Sequence, residues 1–224
     1  MPDSEKQDML FDYKPPNGPL DIIHADKDIV VLNKPSGLLS VPGRQDHMKD
    51  SLSLRVQKQF PTATVVHRLD MDTSGIIVMA LNKAAHRHIS MQFEKRSTRK
   101  SYLAHVYGAV EEDEGEIDLP LILDWPNRPL HIVDHDNGKP ALTRWRVIDR
   151  KDGHTRIAFY PVTGRTHQLR VHSQAIGHPI LGDTLYAHDP ARRMASRLLL
   201  HAESLTLTHP HSKQVMTFTS EGEF

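Results

Sequence analysis

Branched apolar residues gather at positions 20–25 and 29–33 around Asp26, Lys27 and Asp28, the pattern of two short strands joined by a polar turn. Lys34-Pro35-Ser36-Gly37 then forces a loop. Over 51–60, Leu52, Val56 and Phe60 share one helical face, with Ser51 as N-cap and Pro61 as the stop. Residues 75–81 form a continuous apolar run, as in a strand buried on both faces, and Asn82 is placed to cap a helix over 83–94. Residues 101–109 alternate, with Tyr102, Ala104 and Val106 on one face and Leu103, His105 and Tyr107 on the other. Segments 142–148 and 155–162 flank Asp152-Gly153 and predict a hairpin. Residues 166–176 predict a helix closed by Gly177 with Pro179 beyond it, and 198–208 and 215–219 predict two further strands. Many strands, few helices and short connections predict an α+β fold around a mixed, mainly antiparallel sheet with peripheral helices.

At 224 residues the chain is within reach of one hydrophobic core, so a single domain is expected over 20–224. Residues 1–19 are polar and acidic, carry Pro15, Pro16 and Pro19, and lack the basic and apolar regions of a signal peptide, so they read as a flexible leader. Mean hydropathy is −0.49, and no apolar run approaches the roughly 18 residues of a membrane span. A cytoplasmic protein without a membrane partner is expected. The absence of cysteine excludes disulfides, thiolate metal sites and a thiol nucleophile. Sixteen histidines invite a metal hypothesis, but His86/His88, His167/His172 and His209/His211 all lack the i, i+4 spacing of a helical ligand pair, and no metal is expected.

Twenty-eight basic residues cancel twenty-eight acidic ones, which excludes an indiscriminate polyanion binder. The distribution changes that picture. Residues 83–100 hold Lys83, Arg87, Lys95, Arg96, Arg99 and Lys100 against Glu94 alone, whereas 111–118 hold six carboxylates and no base. Each run reads either as a solvated turn or, for the basic one, as an RNA backbone contact.

Two clusters are candidates for chemistry. His67-Arg68-Leu69-Asp70-Met71-Asp72-Thr73-Ser74-Gly75 runs a charged loop into an apolar strand, where a carboxylate must be paired to stay ionised. The residues themselves leave Asp70 and Asp72 both open as the reactive group. Gly164-Arg165-Thr166-His167-Gln168-Leu169-Arg170-Val171-His172 leads a turn glycine into a helix start, where Arg165 and free N–H groups suit a carboxylate or a phosphate. Tyr102, next to the basic run, offers an aromatic face on which a base can stack.

These segments, with Asn33-Lys34-Pro35-Ser36-Gly37 before them and Arg197-Leu198-Leu199-Leu200-His201-Ala202 after them, resemble the RluA family of RNA pseudouridine synthases from about Ile29 onward, in family order. The resemblance implies a pseudouridine synthase fold with a central active-site cleft. It implies Asp70 as the nucleophile, and Tyr102 as the residue that stacks on the target uracil and is implicated in removing the C5 proton. It further implies Arg165 as the partner of the catalytic aspartate, and Arg68 as the residue that helps displace the flipped nucleotide. Lys95, Arg96, Arg99 and Lys100 are the expected RNA-binding run. Only 32 residues precede the Asn-Lys-Pro motif, too few for a separate N-terminal RNA-binding domain.

The remaining text is most similar to the bacterial dual-specificity members, which implies 23S rRNA and the tRNA anticodon stem-loop as substrates. No cofactor, no obligate protein partner and a monomer are expected. Three alternatives stay in view: the same chemistry on one of these RNAs only, a non-catalytic RNA-binding protein, and a hydrolase pairing Asp70 with Asp72. The last is disfavoured because two aspartates so close in a turn cannot readily flank a substrate.

Overall fold

The computed structural model describes residues 13–222 and Phe224. In chain order the strands are β1 (Asp21–Ala25), β2 (Ile29–Lys34), β3 (Thr64–Val65), β4 (Ser74–Ala80), β5 (Arg99–Tyr107), β6 (Glu114–Asp118), β7 (Leu121–Leu123), β8 (His131–Val133), β9 (Leu142–Lys151), β10 (His154–Pro161), β11 (Leu200–Thr208) and β12 (Val215–Thr219). The helices are α1 (Leu52–Gln59), α2 (Lys83–Glu94), α3 (Gln168–Ala175) and the short α4 (Asp189–Arg193). A ten-stranded sheet runs β1-β2-β4-β11-β5-β10-β9-β6, with β3 added to β4 and β12 to β11, while β7 and β8 form a separate hairpin. Its pairings are antiparallel except that of β4 with β11, so the mixed sheet of an α+β fold is realised.

Every residue of β4 is buried, as its unbroken apolar run predicts, and its side chains feed two cores. Ile77 and Met79 join Val30, Leu32, Leu52 and Val56 on the face covered by α1. Ile76, Val78 and Ala80 join Ile29, Val31, Ala85 and Ile89 on the face covered by α2. A third core of Ala104, Val106, Ile157, Phe159 and Leu169 lies under α3. Tyr102 packs against both this core and the one under α1, which places it on the seam between them. Asn82 caps α2 as expected, its side chain accepting from Ala85 N at 2.9 Å.

Gly75 is required where β4 meets β11. Its φ is 111°, and a Cβ there would lie 2.3 Å from Ala202 O.

Several expectations are corrected. Ser51 precedes α1 but makes no capping bond; its hydroxyl lies 3.3 Å from that of Ser53. The helix expected from Thr166 starts at Gln168, because His167 takes a left-handed φ of 56° that a right-handed helix cannot contain. The basic run is divided between α2, a tight turn and the start of β5 at Arg99. The acidic run is not a solvated turn throughout. Residues 114–118 form the edge strand β6, and β9 pairs two arginines with it, Arg144 with Glu116 at 2.6 Å and Arg146 with Glu114 at 3.0 Å, while Arg150 meets Asp113 just before the strand at 2.8 Å.

Of the expected leader, residues 1–12 lie outside the described residues. Tyr13, however, is 7% exposed, donates its hydroxyl to Asp50 O and accepts from Leu39 N, and Arg55 donates to Pro16 O. Residues 13–16 therefore belong to the folded unit. Among the described residues no helix is long and apolar enough to cross a membrane.

Candidate active site

A cleft of about 1010 Å³ opens over the seam, with Asp70, Tyr102, Arg165 and Arg68 all in its wall. The loop that carries Asp70 is shaped by hydrogen bonds to its backbone carbonyls from the Lys-Pro-Ser-Gly segment. Lys34 Nζ donates to Met71 O at 2.8 Å, Gly37 N to the same oxygen at 2.9 Å, and Ser36 Oγ to Asp72 O at 2.7 Å. Ser40 Oγ donates to Leu69 O and accepts from Leu69 N. The first motif thus acts as a cradle for the second, a role its sequence shows only as a loop.

Lys34 is fully buried, and its other two N–H bonds go to Pro35 O and Leu38 O. Burial pulls its pKa down to about 7 against the opposing charges of Asp72 and Asp70. Three carbonyl acceptors match the three protons of an ammonium group, so this geometry favours the charged form.

Asp70 stands at the mouth of the loop with its side chain 27% exposed. Its Oδ2 lies 3.9 Å from Arg170 Nη1 and its Oδ1 4.0 Å from His167 Nε2. Arg170 is in turn locked by Asp183, with Nε to Oδ2 and Nη2 to Oδ1 both at 2.7 Å. The arginine that faces Asp70 is therefore Arg170, and the expected pairing with Arg165 is corrected. Arg165 precedes α3 and donates through Nε to Pro140 O at 3.1 Å. Gln168 fixes this turn, accepting from Arg165 N and from Thr163 Oγ1. Because α3 starts at Gln168, Arg170 falls in its first turn and points inward, where it is 2% exposed.

Asp72 sits deeper in the loop, and burial raises its pKa against the lowering charges of Arg170 and Lys34. Of the two aspartates open from sequence, Asp70 combines access with charge partners. Burial raises the Tyr102 phenol and the Asp70 charge adds to it, so the phenol stays protonated and its ring is the surface offered to the cleft.

Arg68 is exposed on the wall. Within the basic run, Arg96 and Lys100 line the cleft while Lys95 and Arg99 lie exposed outside its lining. Lys100 is lowered by burial and by the neighbouring Arg96. His67 is half-buried in this wall. Burial depresses its pKa to about 3, and its Nε2 accepts from Val78 N at 3.1 Å. Its ring stacks on Phe93 at 4.5 Å between centroids.

The histidine pairs singled out from sequence do not converge. His172 bonds Thr143 Oγ1 and Leu119 O, while His167 bonds Tyr186. His86 bonds Thr64, and His88 bonds Gln92. Among the described residues one carboxylate–histidine group is compact: Asp26, Asp28 and His209 hold ligand atoms within 4.8 Å of one another. His209 Nδ1 accepts from the N–H groups of His211 and Ser212, so Nε2 carries the ring proton and donates to Asp26 at 3.0 Å. Both nitrogens are committed, and the group serves as a tie between the β1–β2 turn and the end of β11.

Sequence reasoning missed Lys34, His167, Arg170 and Tyr186 as site residues. For Arg170 a signal existed: a charged residue interrupts the apolar positions Leu169 and Val171 in a helix expected to pack on the core.

Residues 28–175 match the family described as RNA pseudouridylate synthase. The chain is 57% identical over 204 residues to the dual-specificity RNA pseudouridine synthase RluA of Yersinia pestis, covering 91% of this chain and 99% of that one. It is 54% identical over 217 residues to the protein of the same name from Escherichia coli strain K12, covering 96% and 99%. Among solved structures, human RNA pseudouridylate synthase domain containing 1 superposes with a TM-score of 0.77 at 30% identity, covering 94% of this chain and 87% of that one.

Proposed function

The chain belongs to the RNA pseudouridylate synthase family, and from that premise we propose that it converts uridines of 23S rRNA and of the tRNA anticodon stem-loop to pseudouridine through Asp70. It is an isomerase that acts on RNA. The dual specificity in the names of its relatives supports two substrates, and indirect recognition of a shared folded loop would let one cleft serve both. The observation that carries the role of Asp70 is its setting: an accessible carboxylate with one donor facing each oxygen, beside an aromatic face in the cleft over the seam.

In this reading the target nucleotide leaves its stack at a cost of a few kcal/mol and enters the cleft, where the uracil lies against Tyr102. Arg68, exposed at the wall, fills the space the nucleotide leaves. Asp70 acts as nucleophile at C1′ and displaces the uracil as its N1 anion; the uracil turns, C5 bonds to C1′ as the bond to Asp70 breaks, and the C5 proton is lost while N1 takes up a proton. Atoms and electrons balance within the nucleotide, so no redox partner or energy source is required. The folded unit, residues 13–16 included, acts as the catalytic domain, working as a monomer in the cytoplasm.

The test is direct. Purified protein incubated with RNA tritiated at uracil C5 should release tritium, and mapping should place pseudouridine in both RNAs. Release without tRNA product would reduce the assignment to one substrate, and no release would overturn it.

The basic wall supplies backbone contacts. Replacing Lys95, Arg96, Arg99 and Lys100 with Ala should weaken RNA binding and flatten its dependence on salt by about 0.7–0.9 in log–log slope for each phosphate left without its cation. Arg96→Ala with Lys100→Ala should account for most of the effect, because those two line the cleft. An unchanged slope would return the run to the solvent.

A further inference from the structure

We propose that His167 is a positioning residue for Asp70, held by the Tyr186 hydroxyl with its ring proton on Nε2 so that a neutral donor faces the carboxylate. The inference rests on the reading that Asp70 is the reactive group. Tyr186 Oη accepts from His131 N at 2.9 Å and lies 2.6 Å from His167 Nδ1. Among the described residues Nδ1 is the one acceptor within reach of the Tyr186 hydroxyl proton, and an unprotonated Nε2 would turn its lone pair toward the Asp70 carboxylate, so Nδ1 accepts and the ring proton sits on Nε2. That nitrogen faces Asp70 Oδ1 at 4.0 Å, while Arg170 faces Oδ2 at 3.9 Å. Catalytic hydrogen bonds are often long in the free enzyme and tighten around substrate.

The backbone is strained to place this ring. His167 has a φ of 56° with a side chain, and it stands at the N-cap of α3 without making a capping bond. Strain of this kind persists where surrounding structure over-determines it, often at functional sites. Here the rings of His131 and Tyr186 hold it edge-on, at 5.3 and 5.5 Å.

The groups that face it are Asp70, Arg170, His131, Tyr186 and Asp183. Burial depresses its pKa, with Arg170 and His131 adding and Asp70 and Asp183 opposing, so the ring is neutral at pH 7. A neutral donor orients the carboxylate without adding a second cation that would blunt its nucleophilicity.

The test compares kcat and KM for tritium release in His167→Leu, His167→Gln and Tyr186→Phe, with Asp70→Asn as the control and thermal melts of each. Loss of the donor in His167→Leu should lower kcat by about 10–100-fold with KM nearly unchanged. His167→Gln, whose amide can place an N–H where Nε2 stood, should recover most of that loss. Tyr186→Phe frees the ring to put its proton on Nδ1, so its deficit should persist from pH 8 down to about pH 6 and shrink only below that, because burial holds the ring neutral until a second proton again occupies Nε2. Equal impairment of the Gln and Leu variants, wild-type kcat in His167→Leu, or a Tyr186→Phe deficit independent of pH would each overturn the proposal. Should Tyr186→Phe fail to fold, the Gln and Leu comparison decides alone. An active Asp70→Asn would instead overturn the reading beneath it, whatever the His167 variants do.

Discussion

Asp70→Asn should abolish pseudouridine formation, by at least about 10³-fold in kcat, while the protein melts within a few degrees of the parent and binds RNA with similar affinity. The amide keeps the volume of the carboxylate and can still meet the hydroxyl or carbonyl groups of a nucleotide. It loses the negative charge that Arg170 faces and the nucleophilic oxygen. Because the side chain is partly exposed and bonds nothing in the core, the substitution leaves packing intact. Tritium release from RNA labelled at uracil C5 is the measurement, read beside a filter-binding assay. Residual turnover above about 1% of the parent would remove Asp70 from the chemistry. Asp72→Asn provides the contrast: that carboxyl lies deeper and is displaced upward in pKa, so its loss should cost far less turnover.

The second large effect is expected at Arg170. Its bidentate pair with Asp183 is buried on both sides, with side chains 3% and 0% exposed. Arg170→Met leaves the Asp183 carboxylate inside with only the N–H groups of Leu185 and Tyr186 to hold it. Breaking a buried pair from one side costs about 3–5 kcal/mol, and at roughly 2–4 °C per kcal/mol the melting temperature should fall by about 6–20 °C. Turnover should fall as well, because Asp70 loses the guanidinium at Oδ2. Arg170→Met combined with Asp183→Leu separates the two roles: removing the stranded charge should restore much of the stability and none of the activity. Arg165→Met, which leaves the ion pair intact, should change stability by less than about 1 kcal/mol. Should it instead lower kcat as far as Arg170→Met, the assignment of the aspartate's partner would revert to Arg165.

The legible parts of the fold are those where burial writes a local pattern. The unbroken apolar run of β4, the cap at Asn82 and the Asp152-Gly153 hairpin all report their structure within a few residues. The edge strand β6 does not, because only Ile117 of its five residues is buried and its carboxylates are answered by arginines on β9 that only the strand register brings opposite. The site divides along the same line. Asp70 and Tyr102 announce themselves through motifs, whereas the partner of Asp70 depends on where α3 begins, and that depends on one left-handed residue. Asp183 lies thirteen positions from Arg170, and Lys34 reaches Met71 across thirty-seven, so neither pairing leaves a trace in local sequence.

The single parallel pairing has a consequence for how the molecule comes into being. Strand β11, formed by residues 200–208, lies between β4 and β5, whose sequences are synthesised about a hundred residues earlier. Until β11 arrives, β4 and β5 present open edges, Gly75 has no strand to meet, and the seam on which Tyr102 sits and Asp70 opens does not exist. Pairings this distant in sequence slow folding, since loop closure precedes any reward from pairing. A nascent chain therefore lacks the assembled cleft until β11 has been synthesised.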